Sequence, residues 1–297
     1  MNKFTNKGHM GKTISFDSED NRSRFLKDFN SNSLIIEKFG SWKYEGKYNT
    51  DEFDFTSLII KNLIDKKIVS SSTFEKYNNN LEKLHLCMNL DDKSLDESEQ
   101  NNISISFYET TKALEDLYRK FVKENISPIF SENIHYQIVP TFRFHFPNQK
   151  GYNWNDRYHT DVMLGHPPYE LNIWMPFTQV YGSNSMRLTP YTDSMELLAL
   201  CGNDFELFAK KTQYDEIFIK RLRSKSKSLE MNYGDFVIFD PRCLHCTQYN
   251  DTKDTRISMD IRIILEGDTE KYSKQYRTTG RKKMPFLPGH YFSKKSV

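Results

Sequence analysis

The sequence predicts an α+β fold with a double-stranded β-helix (jelly roll) core, helices from the N-terminal part packed against it, and a helical insertion between two strands. Two observations support this prediction. Apolar residues recur at helical spacing up to about residue 130, and short strand patterns separated by turn residues follow. We therefore expect a single domain over residues 1–297, divided into a helical buttress (1–130), a jelly-roll core (131–265) with its insertion (192–228), and a C-terminal tail (266–297).

Two amphipathic helix patterns precede the strands. They lie within segments 55–68 and 106–125, where apolar residues return every three or four positions along one face. The apolar positions are Ile59, Ile60, Leu63 and Ile64 in the first pattern, and Leu114, Leu117, Phe121 and Val122 in the second. Such stripes need an apolar surface to cover, so we expect both helices to pack against a sheet.

Five strand patterns follow Pro128. They cover residues 136–146, 170–180, 236–240, 244–249 and 256–265. The first pattern alternates, with an apolar face of Ile138, Phe142, Phe144 and Phe146 and a more polar face that includes Gln137, Thr141 and Arg143. If the polar face points into the core, the apolar face is the one that the helices cover. Between residues 192 and 228 the spacing becomes helical again, which predicts the insertion.

Composition and charge exclude several classes of protein. Lys plus Arg (42) and Asp plus Glu (40) leave a formal charge of +2, which argues against a dedicated nucleic-acid binder. No apolar run approaches the roughly 18 residues of a membrane span, and the first residues lack the apolar segment of a secretory signal. We predict a cytoplasmic protein with a small-molecule substrate, without nucleic-acid or membrane partners, and with four free cysteines. The oligomeric state is left open.

Three residues indicate a metal site: His159, Asp161 and His245. In a strand, residues two apart point to the same side, so His159 and Asp161 would present an imidazole and a carboxylate to one point. A histidine from a distant strand would complete two histidines and one carboxylate, which suits non-haem Fe(II) and oxygen chemistry. Cys243 and Cys246 bracket His245 and superficially suggest zinc. We reject zinc because no second cysteine pair exists and a strand would point the two thiols to opposite faces.

The last strand pattern carries a row of polar residues on one face. They are Arg256, Ser258, Asp260 and Arg262, and the other face is apolar. A buried charge without a partner is expensive, so this row predicts a charged ligand. A dicarboxylate fits, because Arg256 can hold a carboxylate through two parallel hydrogen bonds and Ser258 can add a hydroxyl.

At this point the sequence resembles the Fe(II)/2-oxoglutarate-dependent dioxygenase superfamily. The matching pieces are His159-Thr160-Asp161, the segment 234–240 that runs into His245, and Arg256-Ile257-Ser258. The likeness covers roughly residues 136–265 and is greatest to the phytanoyl-CoA hydroxylase-like branch and its bacterial small-molecule tailoring relatives. The resemblance implies Fe(II), 2-oxoglutarate and O2 as cofactors, with iron held by His159, Asp161 and His245. It implies that Arg256, assisted by Ser258, binds the distal carboxylate of 2-oxoglutarate.

The resemblance suggests further contacts in the same pocket. Residues expected around the cosubstrate are Trp174, Thr247, Asn172, Arg143 and Gln137, of which the last two are alternatively substrate contacts. Arg262 is a rival for the cosubstrate carboxylate, and it is alternatively a contact for an acidic substrate group or a structural partner of Asp260. Tyr158, in the loop 149–158, is expected to contact the substrate. His145 is interpreted as a hydrogen-bonded core histidine. This loop, the insertion and the tail are candidate lids.

The predicted function is hydroxylation of a small polar metabolite, such as an amino acid, a sugar or a natural-product intermediate, with decarboxylation of 2-oxoglutarate to succinate and CO2. In related halogenases the carboxylate position is small, so Asp161 favours hydroxylation, desaturation or ring chemistry instead. Two alternatives stay open. One is a non-catalytic jelly-roll binding or sensing module, and the other is a metal-dependent hydrolase or isomerase that uses the same three ligands.

Overall fold

A computed structural model describes residues 18–88, 101–149, 156–269 and 285–297 of the chain. Its helices are α1 (Glu19–Phe29), α2 (Leu34–Phe39), α3 (Phe55–Asp65), α4 (Ser71–Glu75), α5 (Asn102–Ser106), α6 (Lys112–Phe121), α7 (Tyr191–Ala199), α8 (Phe205–Tyr214) and α9 (Glu216–Lys225). Its strands are β1 (Lys43–Lys47), β2 (Ile134–Tyr136), β3 (Thr141–His145), β4 (Leu171–Pro176), β5 (Met186–Leu188), β6 (Lys227–Ser228), β7 (Asp235–Phe239), β8 (His245–Thr247) and β9 (Arg256–Leu265).

The strands form two antiparallel sheets. The major sheet has the order β1-β7-β4-β9, and both β2 and β3 pair with the far side of β9. The minor sheet has the order β6-β5-β8, and the backbone of His159 extends it by exchanging hydrogen bonds with His245. The fold therefore brings two segments that are distant in sequence, around residues 159 and 245, side by side.

Strand β9 is the centre of the major sheet, and all ten of its residues are buried. Its apolar face, formed by Ile257, Met259, Ile261 and Ile263, belongs to the largest apolar cluster. On the other face, Arg256, Asp260 and Arg262 line an internal cavity. The alternation predicted for this strand is therefore confirmed, and it places a row of charges in a cavity wall.

The N-terminal helices cover the apolar side of the major sheet. Ile59 of α3 and Leu114 of α6 are buried in the same cluster as Phe142 and Phe144 of β3, as the periodicity predicts. Asp54 caps the start of α3 by accepting a hydrogen bond from the backbone N–H of Ser57. Helix, cap and sheet thus stabilise the wall from which the site residues project.

Two local features differ from the prediction. Residues 43–47, within the segment expected to be helical, form the edge strand β1, which pairs with β7. Its sequence KYEGK contains one tyrosine and no aliphatic side chain, so apolar periodicity gives no signal for it. The strand expected over 136–146 is split into β2 and β3, because Pro140 has no N–H to donate to a ladder. Ile138, at this break, is 37% exposed and lines the cavity instead of packing against the helices.

The predicted insertion is present as α7, α8 and α9, which span residues 191–225. These helices pack with α1 in a second apolar cluster through Phe29, Leu197, Phe208 and Leu222. The apolar residues in each helix recur at helical spacing. Their burial in one cluster explains why the insertion packs against the rest of the protein.

The C-terminal strap, residues 285–297, folds back along β2. Ile134 and Val297 exchange backbone hydrogen bonds, and the N–H groups of Ile138 and Ser293 donate to the carbonyls of Tyr291 and Tyr136 respectively. The strap thereby covers the free edge of β2 and brings Phe286, His290 and Tyr291 to the cavity. The remainder of the predicted tail lid, residues 270–284, and residues 150–155 of the predicted loop lid lie outside the described residues. In the part of the chain described, no helix is long and apolar enough to span a bilayer.

Candidate active site

His159, Asp161 and His245 converge at one end of the minor sheet. One potential ligand atom from each lies within 4.8 Å of the others, and the His245 Nε2 and Asp161 Oδ1 atoms are 3.5 Å apart. The backbone bridge between the two histidines places their ring centroids 4.5 Å apart. Three side chains from two separate segments therefore face one point, at a spacing that a single metal ion can bridge.

Asp161 reaches this point by a route that differs from the expected one. It is the first residue of a short 3₁₀ helix, Asp161–Leu164, and not a strand residue. Thr160 caps that helix by accepting a hydrogen bond from the N–H of Met163, and the Asp161 N–H donates to the carbonyl of Pro241. The convergence of His159 and Asp161 was predicted from strand alternation, whereas a capped turn produces it.

The hydrogen bonds of the two histidines leave the correct ring nitrogen available for a metal. Nδ1 of His159 lies 2.9 Å from the carbonyl oxygen of Arg157, and Nδ1 of His245 lies 3.0 Å from that of Cys243. A carbonyl can only accept, so each Nδ1 carries the proton and each Nε2 keeps its lone pair. Both rings are thus fixed in the tautomer that binds metal through Nε2.

Electrostatics set the charge states of the same residues. Burial, reinforced by His245, lowers the pKa of His159 to about 3, so its ring is neutral near pH 7. Burial would raise the pKa of Asp161, but the Arg262 guanidinium holds it well below its usual value. The set is therefore two imidazoles, of which His159 is held neutral, and one ionised carboxylate, which is the donor set that suits Fe(II).

Arg256 lies at the far end of β9 from Arg262, in the cavity wall. Its side chain is almost fully buried, and Nη1 donates to the carbonyl of Asn184 at 3.3 Å. His145 pairs with Arg256 across the β3–β9 ladder; burial, followed by the Arg256 charge, lowers the pKa of His145 well below its usual value. A neutral histidine beside it adds no further positive charge to that of the Arg256 guanidinium.

Two buried polar side chains of the central strands have hydrogen-bonding groups that the described residues do not satisfy. One is the Ser258 hydroxyl, two positions along β9 from Arg256; Ser258 is not among the residues that line the cavity. The other is Asn172, which lines the cavity opposite Arg262 and has no partner for either amide atom among the described residues. Leaving such a group unbonded costs about 1–3 kcal/mol, so the Asn172 amide fits a bound ligand that offers hydrogen-bonding atoms at its end of the cavity.

The cavity has a volume of about 510 Å³ and contacts both sheets. It is lined by most of the residues expected around a cosubstrate, namely Gln137, Arg143, Asn172, Trp174, Thr247 and Arg256, together with His159, Asp161 and His245. Arg143 is already bonded to Asp260, its Nε donating to Oδ2 at 2.5 Å. The structure thus brings the predicted set together around one space, large enough for small-molecule ligands.

Two residues predicted to contact substrate have other partners. Arg262 donates to Asp161 Oδ2 from Nε at 3.1 Å and from Nη2 at 2.8 Å, and its Nη1 lies 3.6 Å from Asp260. Tyr158 is buried in the second apolar cluster, shares a hydrogen bond with Ser226, and does not line the cavity. Its placement gives no support to the predicted substrate contact.

The end of the cavity near Arg262 contains residues that the sequence analysis does not select. Glu170, with no exposed surface, bonds to His166 Nδ1 at about 3 Å, and the His166 ring packs 4.2 Å from that of Phe286 in the strap. Asp161, His166 and Glu170 also lie within metal-ligating distance of one another. However, Arg262 already bonds to Asp161 and lies 3.9 Å from Glu170. Its guanidinium therefore supplies the positive charge that a metal ion would otherwise bring to this second set. A charged residue immediately before a fully buried strand, as Glu170 stands before β4, is the signal that could have identified it.

A buried set of two histidines and one carboxylate, next to a cavity with a buried arginine, defines a site of the mononuclear non-haem metal class that supports oxygen chemistry. The family comparison agrees with this class. The chain belongs to the phytanoyl-CoA dioxygenase (PhyH) family, which it matches over residues 62–258. The family predicted from the sequence motifs is thereby confirmed, and with it the expected cofactors Fe(II), 2-oxoglutarate and O2.

Similar proteins include enzymes of natural-product biosynthesis. The chain is 25% identical to the streptomycin biosynthesis protein StrG of Streptomyces griseus over 187 residues, which are 63% of this chain and 72% of that protein. Among solved structures, the non-haem α-ketoglutarate-dependent carbocyclase SnoK from nogalamycin biosynthesis aligns with a TM-score of 0.45 at 10% identity, over 80% of this chain and 85% of SnoK. EctD from S. alaskensis with 2-oxoglutarate and 5-hydroxyectoine aligns with a TM-score of 0.42 at 10% identity, over 95% and 86% of the two chains.

Proposed function

We propose that this protein is an Fe(II)/2-oxoglutarate-dependent oxygenase that acts on a small polar metabolite, with hydroxylation as the default outcome. The observation that carries the proposal is the convergence of His159, Asp161 and His245 on one point of a cavity that also contains Arg256. Family membership supports it. The amino acid, sugar or natural-product intermediate expected from the sequence stays the proposed substrate class.

The proposal assigns each of these residues a task. His159 and His245 would bind iron through Nε2, because a backbone carbonyl holds the proton of each ring on Nδ1. Asp161 would bind through Oδ1, the oxygen that faces His245. Bound Fe(II) would supply the redox chemistry in which O2 and 2-oxoglutarate yield succinate, CO2 and one oxygen atom for the substrate.

Arg256 and Ser258 would hold the distal carboxylate of 2-oxoglutarate by charge-assisted hydrogen bonds. Trp174 and Phe239, both buried, line the cavity next to the proposed ligands and would exclude water from the reaction. The strap residues Phe286 and Tyr291 line the end near Arg262, which leaves that end for the substrate. The two sheets that line this cavity would be the two halves of a jelly roll, as the family implies.

We also propose that the protein works in the cytoplasm. All four cysteines, Cys87, Cys201, Cys243 and Cys246, are free, as predicted. Free buried thiols are typical of a reducing compartment.

The decisive experiment measures succinate formed from 2-oxoglutarate in air, with and without added Fe(II). We expect succinate that depends on Fe(II), 2-oxoglutarate and O2 together. His159→Ala and Asp161→Ala should abolish it, whereas His85→Ala, which removes a histidine bonded to Thr255 away from the cavity, should not. Succinate at the wild-type rate from Asp161→Ala would refute the proposed site.

The same experiment separates the alternatives. A binding or sensing module would produce no succinate under any condition. A hydrolase or isomerase would turn over its substrate without O2 and without consuming 2-oxoglutarate. Identifying the substrate requires a metabolite panel added anaerobically to the Fe(II)- and 2-oxoglutarate-loaded protein, with a shift in visible charge-transfer absorption as the signal.

A further inference from the structure

Arg262 and Asp161 form a buried ion pair in the cavity wall. Arg262 donates two hydrogen bonds to one oxygen of Asp161, Oδ2, from Nε at 3.1 Å and from Nη2 at 2.8 Å. The other oxygen, Oδ1, lies 3.5 Å from His245 Nε2 and faces the proposed metal point. The two oxygens of this carboxylate therefore have different surroundings. Oδ2 is bonded to Arg262, and Oδ1 is the oxygen that would face a metal.

Arg262 is itself held rigidly. It projects from the ten-residue strand β9, and its remaining sides meet Asp260, 3.6 Å from Nη1, and Glu170, 3.9 Å from Nε. Three carboxylates thus surround one guanidinium. Turning the guanidinium toward the cavity would break contacts with them. The planar, always-charged guanidinium of arginine suits this arrangement better than the flexible ammonium group of lysine.

A carboxylate whose second oxygen accepts two charge-assisted hydrogen bonds can offer a metal only its first oxygen. A carboxylate free to rotate could bind with both oxygens and occupy an additional position on the metal. Holding Oδ2 would therefore limit Asp161 to one bond with a metal, and it keeps Oδ1 directed at the point where the histidines meet.

We infer that Arg262 is a positioning residue for the metal site, which fixes Asp161 as a one-oxygen ligand, and is not a substrate-binding residue. This inference rests on the proposed function, since it requires that Asp161 binds a metal. Partners that orient a metal ligand are typically worth about 10- to 100-fold in metal affinity.

The test uses Co(II) as a spectroscopic probe, titrated anaerobically into the full-length protein without cosubstrate. Arg262→Met keeps the length of the side chain and removes every donor. We expect it to bind Co(II) about 10- to 100-fold more weakly and with an altered visible d–d spectrum, because Asp161 can then rotate. Arg262→Lys should recover part of the affinity without restoring the wild-type spectrum, because one ammonium cannot reproduce two directed N–H bonds.

Arg187→Met is the matched control. Arg187 is another partly buried arginine, but it bonds to Ser226 and Gln248 and does not line the cavity, so this variant should keep wild-type Co(II) affinity and spectrum. Wild-type affinity and spectrum in folded Arg262→Met would overturn the inference. If Arg262→Met does not fold, Arg262→Lys decides, and an unchanged spectrum there overturns it.

Metal binding by the wild-type protein distinguishes a failure of the role inferred for Arg262 from a failure of the proposed function. If the wild type binds Co(II) but Arg262→Met is indistinguishable from it, only the role of Arg262 is wrong. If the wild type binds neither Co(II) nor Fe(II), the proposed function fails, and the inference fails with it. A substrate-binding role for Arg262 predicts unchanged metal affinity in the variant, together with a raised KM once a substrate is known.

Discussion

Asn172 lies directly opposite Arg262 in the antiparallel pairing of β4 with β9, yet the two buried side chains are satisfied very differently. Arg262 bonds to Asp161, whereas neither amide atom of Asn172 has a hydrogen-bond partner among the described residues. A buried amide without partners costs stability. Its presence in the cavity wall is therefore best explained by a ligand that completes its hydrogen bonds.

The first prediction follows from this cost. Asn172→Ala should leave the free energy of unfolding unchanged or raise it by up to about 1 kcal/mol, because the variant removes an unsatisfied group. Binding of the 2-oxoglutarate or substrate that contacts the amide should weaken about fivefold, the value of one hydrogen bond. Urea denaturation and anaerobic ligand titration measure the two effects.

Asn250→Ala is the comparison for Asn172→Ala. Asn250 is equally buried, but its amide donates to the Asp254 carbonyl at 2.9 Å and accepts from the Thr252 N–H at 3.1 Å. Its loss should cost about 1–3 kcal/mol. Equal destabilisation by the two substitutions would show that the Asn172 amide is satisfied in the folded protein.

The second prediction concerns Arg256. Arg256→Met should weaken 2-oxoglutarate binding about 10- to 100-fold, because hydrogen bonds to a charged group are worth roughly 1.5–3 kcal/mol. Metal affinity should be retained, since Arg256 does not contact the three proposed ligands. The Fe(II)-dependent absorption of bound 2-oxoglutarate, followed anaerobically, gives the dissociation constant. An unchanged dissociation constant for 2-oxoglutarate in this variant would contradict the role assigned to Arg256.

The third prediction concerns the turn that leads into His245. Arg242 donates from Nε and Nη2 to both oxygens of Asp240. Its Nη1 donates to the carbonyls of Phe29, the last residue of helix α1, and of Ser31. Arg242→Ala leaves the Asp240 charge buried and unpaired, so the free energy of unfolding should fall by about 3–5 kcal/mol. Urea denaturation measures this loss.

The exposed pair Lys61–Asp65 provides the contrast. Lys61→Ala should cost less than about 1 kcal/mol. The double substitution Arg242→Met with Asp240→Leu should recover part of the stability, because it removes the stranded charge. No recovery in the double variant would mean that the carbonyl contacts, and not the ion pair, hold this turn.

The sequence predicts best those parts of the fold in which periodicity is strong and local. In β9, polar and apolar residues alternate through Arg262, and the buried wall of the cavity follows from that pattern. Helices α3 and α6 are predicted for the same reason. Strand β1 is not, because it has little apolar character and derives its stability from pairing with β7, a contact about 190 residues away in sequence.

Within the site, residue types and spacing identify the three proposed ligands and Arg256, but not the contacts that orient them. The bond from Arg262 to Asp161 joins residues 101 positions apart, and the strap meets β2 over about 160 positions. Neither separation leaves a local trace in the sequence. Such contacts arise when the sheets assemble, so only the three-dimensional structure shows that Arg262 serves Asp161.

The last prediction is a pH dependence of stability that arises from His145. Burial, followed by the charge of Arg256, lowers the pKa of this histidine well below 6.5, so the ring stays neutral in the folded protein while it ionises normally when unfolded. As the pH falls below about 6.5, the unfolded chain takes up a proton that the folded chain cannot, and stability decreases by as much as about 1.4 kcal/mol per pH unit. His145→Gln should flatten this slope between about pH 6.5 and 5 in urea denaturation of the metal-free protein. Parallel profiles for the two proteins would show that His145 binds its proton as readily in the folded state as in the unfolded one. Another group would then have to offset the positive charge of Arg256.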